Sequence, residues 1–154
     1  MLRSTNGITV NLLSDIDQIR DLKARYCRFA DAKQWQSVAE LFTADAVMRF
    51  HNVDGSLANE VSVAEFARTI GDRMGAGRPV HHVFSHEIEF TSETTAEGLW
   101  AMEDLIFHDR AAHPEAPFAL MHGFGHYHDT YLKADGVWRI SGSELTRLRI
   151  DFVD

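Results

Sequence analysis

Apolar side chains at Ile16, Ile19, Leu22, Tyr26, Phe29 and Ala30 recur at three- and four-residue steps, the spacing that lays one stripe along a helix. Ser14 followed by Asp17 resembles a capping box in front of that stripe, so a first helix is expected to run as far as Asp31. Trp35, Val38, Ala39, Leu41 and Phe42 predict a second, short helix. Ala46 to His51 then reads as a strand closed by the turn-prone run Asn52 to Gly55. Ser62 with Glu65 forms another capping box, and Phe66, Ile70 and Met74 continue one face until Gly75 and Gly77 end the helix before Pro79.

Beyond Pro79 the pattern changes to long strands, expected over His81 to Phe90, Ala96 to His108, Phe118 to Leu132 and Val137 to about Ile150. Asp135-Gly136 is a strong hairpin signal between the last two. Helices first and strands afterwards point to an α+β fold: a curved antiparallel or mixed sheet forming a cone, with three N-terminal helices packed over one face. One domain covering residues 1–154 is expected, with residues 1–13 as a loose N-terminal arm and no linker, repeat or low-complexity tract. Arg110 to Pro117, which contains His113-Pro114 and Ala116-Pro117, reads either as a solvated hairpin loop or as a lid.

With 15 basic and 23 acidic residues the chain carries a formal charge of −8 and no Lys/Arg block, so phosphate backbones and anionic membranes would be repelled. No nucleic acid and no membrane partner is expected. Cys27 is the only cysteine, which excludes an internal disulfide and fits a reducing compartment. Met1 to Leu13 lacks the basic start, apolar centre and small-residue exit of a signal peptide, so a cytoplasmic location is expected.

Asp31, closing the first helical stripe, and His81, opening the fifth predicted segment, stand out as a carboxylate and an imidazole able to act together. A carboxylate holding one ring nitrogen leaves the other free to take a proton near neutral pH. Around them the chain reads Arg25-Tyr26-Cys27-Arg28-Phe29-Ala30-Asp31, then Trp35, then Leu41-Phe42-Thr43-Ala44-Asp45-Ala46. Later come Thr95-Ala96-Glu97-Gly98-Leu99-Trp100, Glu103-Asp104, Gly125-His126-Tyr127-His128-Asp129-Thr130-Tyr131 and Asp135-Gly136-Val137-Trp138-Arg139-Ile140. From about Asp15 to Arg147 the chain resembles the SnoaL-like enzymes of the nuclear transport factor 2-like, cystatin-like fold. That group includes scytalone dehydratase, lindane dehydrochlorinase and bile acid 7α-dehydratase, the last being the nearest in look.

The resemblance implies a cone-shaped sheet around a deep apolar pocket and chemistry that needs no cofactor and no metal. It places an Asp–His dyad on Asp31 and His81, a helix-one tyrosine at Tyr26, an acidic residue at Asp104 and a late arginine at Arg147. Tyr26 could polarise a carbonyl or protonate a leaving hydroxyl, and Arg147 could hold an anionic group. Tyr26 also lies on the apolar stripe of helix one, where plain core packing is the alternative, and Asp104 and Arg147 could serve only as ion-pair partners. Phe42, Phe50, Trp100 and Phe124 are expected to shape the cavity or belong to ordinary core. Where the dehydratases carry a first-strand tyrosine, this chain has Phe50, which cannot donate a hydrogen bond.

Strand parity bears on the choice of base. His82 shares its side with Phe84, Ile88 and Phe90, whereas His81 falls with Glu87 and Glu89, so strict alternation would turn His82 inward. A bulge near Val83 would turn His81 inward instead; His81 is therefore placed first and His82 second. Among the nine histidines, His122, His126 and His128 share parity on one strand and His108 matches them on its neighbour, a spacing that permits metal ligation. A four-residue step along a strand spans about 13 Å, which argues against it.

The function expected is that of a dehydratase-type lyase acting on a small, largely apolar, ring-containing substrate. Isomerisation or cyclisation of a ketosteroid- or polyketide-like substrate is one alternative. The other is a noncatalytic binding or assembly subunit like the small subunits of ring-hydroxylating dioxygenases. A homo-oligomer is expected, the resemblance implying a trimer and general frequency a dimer.

Overall fold

A computed structural model describes residues 2–5, 8–11 and 14–154, the first two stretches as backbone only. The expected N-terminal arm contributes two short strands, β1 (Leu2–Thr5) and β2 (Ile8–Asn11), paired antiparallel with each other; the rest of the arm lies outside the described residues.

Helix α1 (Asp15–Asp31) starts where its capping box places it, with the Ser14 hydroxyl accepting from the Asp17 backbone N–H at 3.2 Å. Its buried stripe is Ile19, Leu22, Lys23, Tyr26, Cys27 and Ala30. Five of those six positions are uncharged side chains that bury readily; the sixth is a lysine. The helix stops in a Schellman turn. Gln34 N–H bonds the Phe29 carbonyl at 2.9 Å and Lys33 N–H the Ala30 carbonyl at 3.0 Å. Lys33 takes the left-handed conformation (φ 55°) that the motif demands and glycine usually supplies. Asp31 is thereby fixed as the last helical residue.

Helix α2 (Trp35–Ala39) is shorter than the pattern suggested, because Phe42 already opens β3 (Phe42–His51) rather than closing the helix. Strand β4 (Leu57–Ser62) was not foreseen; only Val61 of its six residues is buried, so it reads as polar loop. Helix α3 (Val63–Met74) is capped by Ser62 on Glu65 N–H at 3.2 Å and ends before Gly75, at φ 52°.

Strands β5 (Arg78–Phe90), β6 (Thr95–Phe107), β7 (Leu120–Ala134) and β8 (Val137–Val153) make up the rest. At the β7–β8 turn Asp135 and Gly136 both have positive φ, 52° and 75°, as a two-residue hairpin requires. The six-stranded sheet runs β4-β3-β8-β7-β6-β5. Its neighbours are antiparallel except β3 and β8, which are parallel, so the sheet is mixed. Register shifts in β5, β7–β8 and β3 mark the bulges that let such long strands curl. The helices cover one face. Between them and the sheet lies the core, which includes Tyr26, Val38, Met48, Phe66, Trp100, Tyr127, Tyr131 and Ile140.

Candidate active site

His81 is turned toward the helices by a bulge. β5 pairs with β6 in register through Val83↔Met102, then resumes at His86↔Trp100. The extra residue around Phe84-Ser85 reverses parity along the strand. Pro79, His81 and Val83 face the helices before it, and His86 and Ile88 after it, while Phe84 is 56% exposed. The bulge expected near Val83 is thus present, and His82 points to the opposite sheet face, where its Nδ1 lies 3.0 Å from Glu103 Oε1.

The end of α1 meets β5 at this point. His81 Nδ1 lies 2.8 Å from Asp31 Oδ1, and the same oxygen accepts the His81 backbone N–H at 2.9 Å. β5 is an edge strand, so this N–H would otherwise be an unpaired edge donor. A carboxylate in the last turn of a helix sits at the negative end of the helix dipole, an unfavourable place that the two His81 donors offset. With Nδ1 as the donor to Asp31, the imidazole presents Nε2 as its unprotonated nitrogen, and Nε2 has no hydrogen-bond partner among the described residues. The pair is half-buried, the side chains being 15% and 32% exposed. It opens onto a groove of about 700 Å³ whose other lining residues are Ala24, Cys27, Arg28, Ala32, His82, Val83 and Phe84.

Next to His81 the helix-facing side of the sheet carries a row of polar groups. Asp104 is its cross-strand partner on β6. Asp104 does not touch the dyad's carboxylate; it forms a two-pronged pair with Arg147 of β8, at 2.5 Å (Nη1–Oδ1) and 2.8 Å (Nη2–Oδ2). The pair spans β7 at Gly123, where a Cβ would come within 2.4 Å of Arg147 Nη1. Both forks of the guanidinium are therefore engaged with Asp104. Burial is the largest single influence and works against the Arg147 charge, but the Asp104 hydrogen bonds and the attraction of its carboxylate together raise the guanidinium above its ordinary value.

Tyr26 lies edge-on to His81, with ring centroids 6.3 Å apart, and edge-on to Tyr127 at 5.8 Å. Burial, reinforced by Cys27 and Asp129, holds its phenol well above the usual tyrosine range, with Tyr127 opposing through a hydrogen bond. At neutral pH it is a proton donor. Trp100 is buried on the same side and donates to Tyr131 Oη at 2.9 Å, while Phe50 packs at the edge of the core.

Phe124 belongs to the other face. Along β7 the odd positions Met121, Tyr127, Asp129 and Tyr131 are buried, whereas Phe124 stacks with His122 at 4.4 Å on the opposite side. It cannot line the interior, since strand alternation groups it with the histidines. His122 is bonded to Glu103 and His128 to Thr146, and His108 stands apart beside Phe118. Among the described residues no group of His, Cys, Asp and Glu is arranged to hold a metal ion.

Two residues absent from the sequence-based expectations complete the interior. Lys23 and Asp129, both with fully buried side chains, form an ion pair at 2.7 Å. The missed signal was a lysine inside the apolar stripe of α1 and an aspartate sharing parity with Tyr127 and Tyr131.

These features coincide with a known group. Residues 11–144 match the SnoaL-like domain. The chain belongs to this family. A probable cyclase, FGR4, of Gibberella zeae is 25% identical over 139 residues, covering 84% of this chain and 89% of that protein. The Kfla4162 protein of Kribbella flavida has the same fold, with a TM-score of 0.77 at 19% identity, over 89% of this chain and 93% of that one. A scytalone dehydratase-like protein from Novosphingobium aromaticivorans superposes with a TM-score of 0.73 at 20% identity, covering 91% and 88% of the two chains. The three-helix, curved mixed-sheet architecture is the nuclear transport factor 2-like cone. Names of cyclase and dehydratase type thus recur among proteins similar to this SnoaL-like domain. No described helix is long and apolar enough to cross a membrane.

Proposed function

We propose that this SnoaL-like domain is a cofactor-independent lyase of dehydratase type that acts on a small, largely apolar, ring-containing substrate through His81 and Asp31. The observation that carries the reading is the double acceptance by one Asp31 oxygen, from the His81 backbone and from Nδ1, which fixes the ring and leaves Nε2 as the free nitrogen of a residue that lines the groove. In the reaction, Nε2 takes a proton from the carbon next to a carbonyl. The electron pair released forms the C=C bond, the C–O bond to the leaving hydroxyl breaks, and the hydroxyl departs as water with the proton given back by the imidazolium, directly or by way of Tyr26, whose phenolate the imidazolium then reprotonates. Asp31 stabilises the imidazolium formed midway, as a hydrogen-bonded carboxylate does. Positioned general-base catalysis supplies roughly 10² to 10⁴ of the rate, and the donors around the developing enolate supply the remainder.

The test is a panel of cyclic β-hydroxy ketones followed by mass spectrometry for loss of one water, with His81→Ala, Asp31→Asn and His82→Ala in parallel. Turnover by wild type that His81→Ala abolishes and His82→Ala retains supports the assignment. Equal turnover by all four proteins removes it. Cyclisation or isomerisation is the second reading, favoured by the similarity to a protein named as a cyclase; its product would have the substrate's mass. A noncatalytic scaffold would bind such compounds without converting them.

We also expect a homo-oligomer, trimer before dimer, covering exposed apolar side chains of β8 such as Leu148, 66% exposed, and Phe152, 61%. A solution mass equal to one chain would contradict it.

A further inference from the structure

Lys23 is a charged residue placed where a charge is expensive. Its side chain has no exposure at all, and it is surrounded by the aromatic core between α1 and the sheet. Buried ion pairs of this kind are commonly no more stabilising than well-packed apolar residues of similar volume, so stability alone gives little reason for it.

The surroundings of the ammonium are specific. It donates one hydrogen bond, to Asp129 Oδ2 at 2.7 Å. Its other contacts are the faces of two rings: Tyr127, with the nitrogen 3.6 Å from the centroid, and Tyr26, at 4.5 Å. Asp129 in turn accepts from the Tyr131 hydroxyl at 3.0 Å and the Ser143 hydroxyl at 2.7 Å, so its charge is spread over three donors. Tyr131 itself receives the Trp100 indole N–H. The carboxylate is thus held from β7 and β8, and it holds the lysine of α1 against the two tyrosines.

We propose that Lys23, anchored by Asp129, is a positioning residue for the Tyr26–Tyr127 pair: its ammonium fixes both rings and draws electron density from them, so that their hydroxyls donate more strongly beside His81. A cation over an aromatic face is attracted by the ring's quadrupole, and it favours the more electron-rich phenolate over the phenol. The two rings meet edge-on, with centroids 5.8 Å apart, and Tyr26 is also edge-on to His81. Donors so arranged suit an oxygen on which negative charge develops. That catalytic consequence rests on the function proposed above; the electrostatic link between Lys23 and the phenols does not.

The ionisable groups around the phenols are Lys23 and Cys27 from α1, His81 from β5, Asp104 from β6, Asp129 from β7 and Arg147 from β8. Only Lys23 and Asp129 change in the test. The chain has three tyrosines, so uniform incorporation of 3-fluorotyrosine gives three ¹⁹F resonances, assigned with Tyr26→Phe and Tyr127→Phe, whose midpoints are followed against pH. Ring fluorination makes each phenol more acidic, and midpoints are compared only over the pH range in which thermal unfolding shows the protein folded. Relative to wild type, the double variant Lys23→Met/Asp129→Asn, which removes both charges, is expected to titrate Tyr26 and Tyr127 up to about one pH unit higher, because the ammonium is seated on the ring faces and the carboxylate is not. Lys23→Met alone, which leaves the carboxylate in place, is expected to raise both midpoints as well.

Midpoints in the double variant equal to or below those of wild type overturn the proposal. If the double variant does not fold, as thermal unfolding would reveal, Lys23→Met decides alone: unchanged or lowered midpoints overturn it, and a rise in both supports it. No substrate enters the measurement, so a failed search for elimination activity leaves its outcome intact.

Discussion

Asp104 and Arg147 meet across a whole intervening strand, because Gly123 puts no side chain between them. Their two-pronged pair is nearly buried, at 10% and 12% exposure, so both side chains are held in one geometry beside His81. Gly123→Ala would place a methyl group 2.4 Å from Arg147 Nη1 and 2.5 Å from Asp104 Oδ1. Neither anchored end can yield without losing its partner. The substitution is expected to cost about 1–3 kcal/mol, as overpacking does, read as a lower urea midpoint at unchanged slope. A neutral result would show that the pair is loosely held and cannot serve as a rigid floor of the site.

The contrast between His81 and His82 gives a second expectation. His82 is 53% exposed at the side chain and pairs with Glu103 on the far face, so His82→Ala should change stability by no more than about 1 kcal/mol. His81→Ala removes one of the two donors that offset Asp31 at the helix end and leaves the backbone donor in place. It should cost more stability than His82→Ala by thermal unfolding. The reverse order would mean that the bulge in β5 does not orient the strand as described.

That bulge also shows where the sequence speaks and where it falls silent. The capping boxes at Ser14 and Ser62 and the Asp135-Gly136 turn are local devices whose chemistry is complete within a few residues, and each is found where the pattern puts it. Parity along β5 is a different matter, since one inserted residue reverses every side chain beyond it, and only knowledge of the partner strand locates the insertion. β4 was illegible because a strand with a single buried residue has no alternation to read. Phe124 shares its parity with His122 and His126 and lies with them on the outer face, so alternation overrides aromatic character at this position. Lys23 and Asp129 escaped notice because a charged residue is ordinarily solvated, and nothing short of the fold brings residues 106 apart in sequence into contact.

Asp15 ties the start of α1 to the β7–β8 hairpin. Its Oδ1 accepts from Trp138 Nε1 and from Lys133 Nζ, each at 2.9 Å. The Trp138 hydrogen bond, then that of Lys133, holds the carboxyl below its ordinary value. A carboxyl lowered in the folded state contributes stability that is present above its unfolded value, near pH 4, and lost as pH falls through the folded value. Asp15→Asn should therefore destabilise at pH 7 and approach neutrality near pH 2. Because the site is partly exposed, the effect at pH 7 should stay within about 1 kcal/mol. A penalty that grows on acidification contradicts the assignment.

Cys27 faces the same core as Tyr26 and lines the groove beside Asp31. Burial pushes its thiol up to about 11, with Asp31 and Asp129 adding to the rise and Lys23 opposing it. Only the thiolate reacts with alkylating agents, and an unperturbed cysteine ionises near 8.5, so the thiolate population at pH 8 falls by roughly two orders of magnitude. Iodoacetamide should accordingly modify the native protein at pH 8 about a hundredfold more slowly than the urea-unfolded chain, as followed by mass spectrometry. Reactivity depends in turn on the seating of α1: Asp31→Asn removes one of the charges that raise the thiol and, if the helix remains docked, should speed alkylation. Were α1 instead to lift from the sheet in wild type, the native and unfolded rates would converge, and the contact between Asp31 and His81 could not persist.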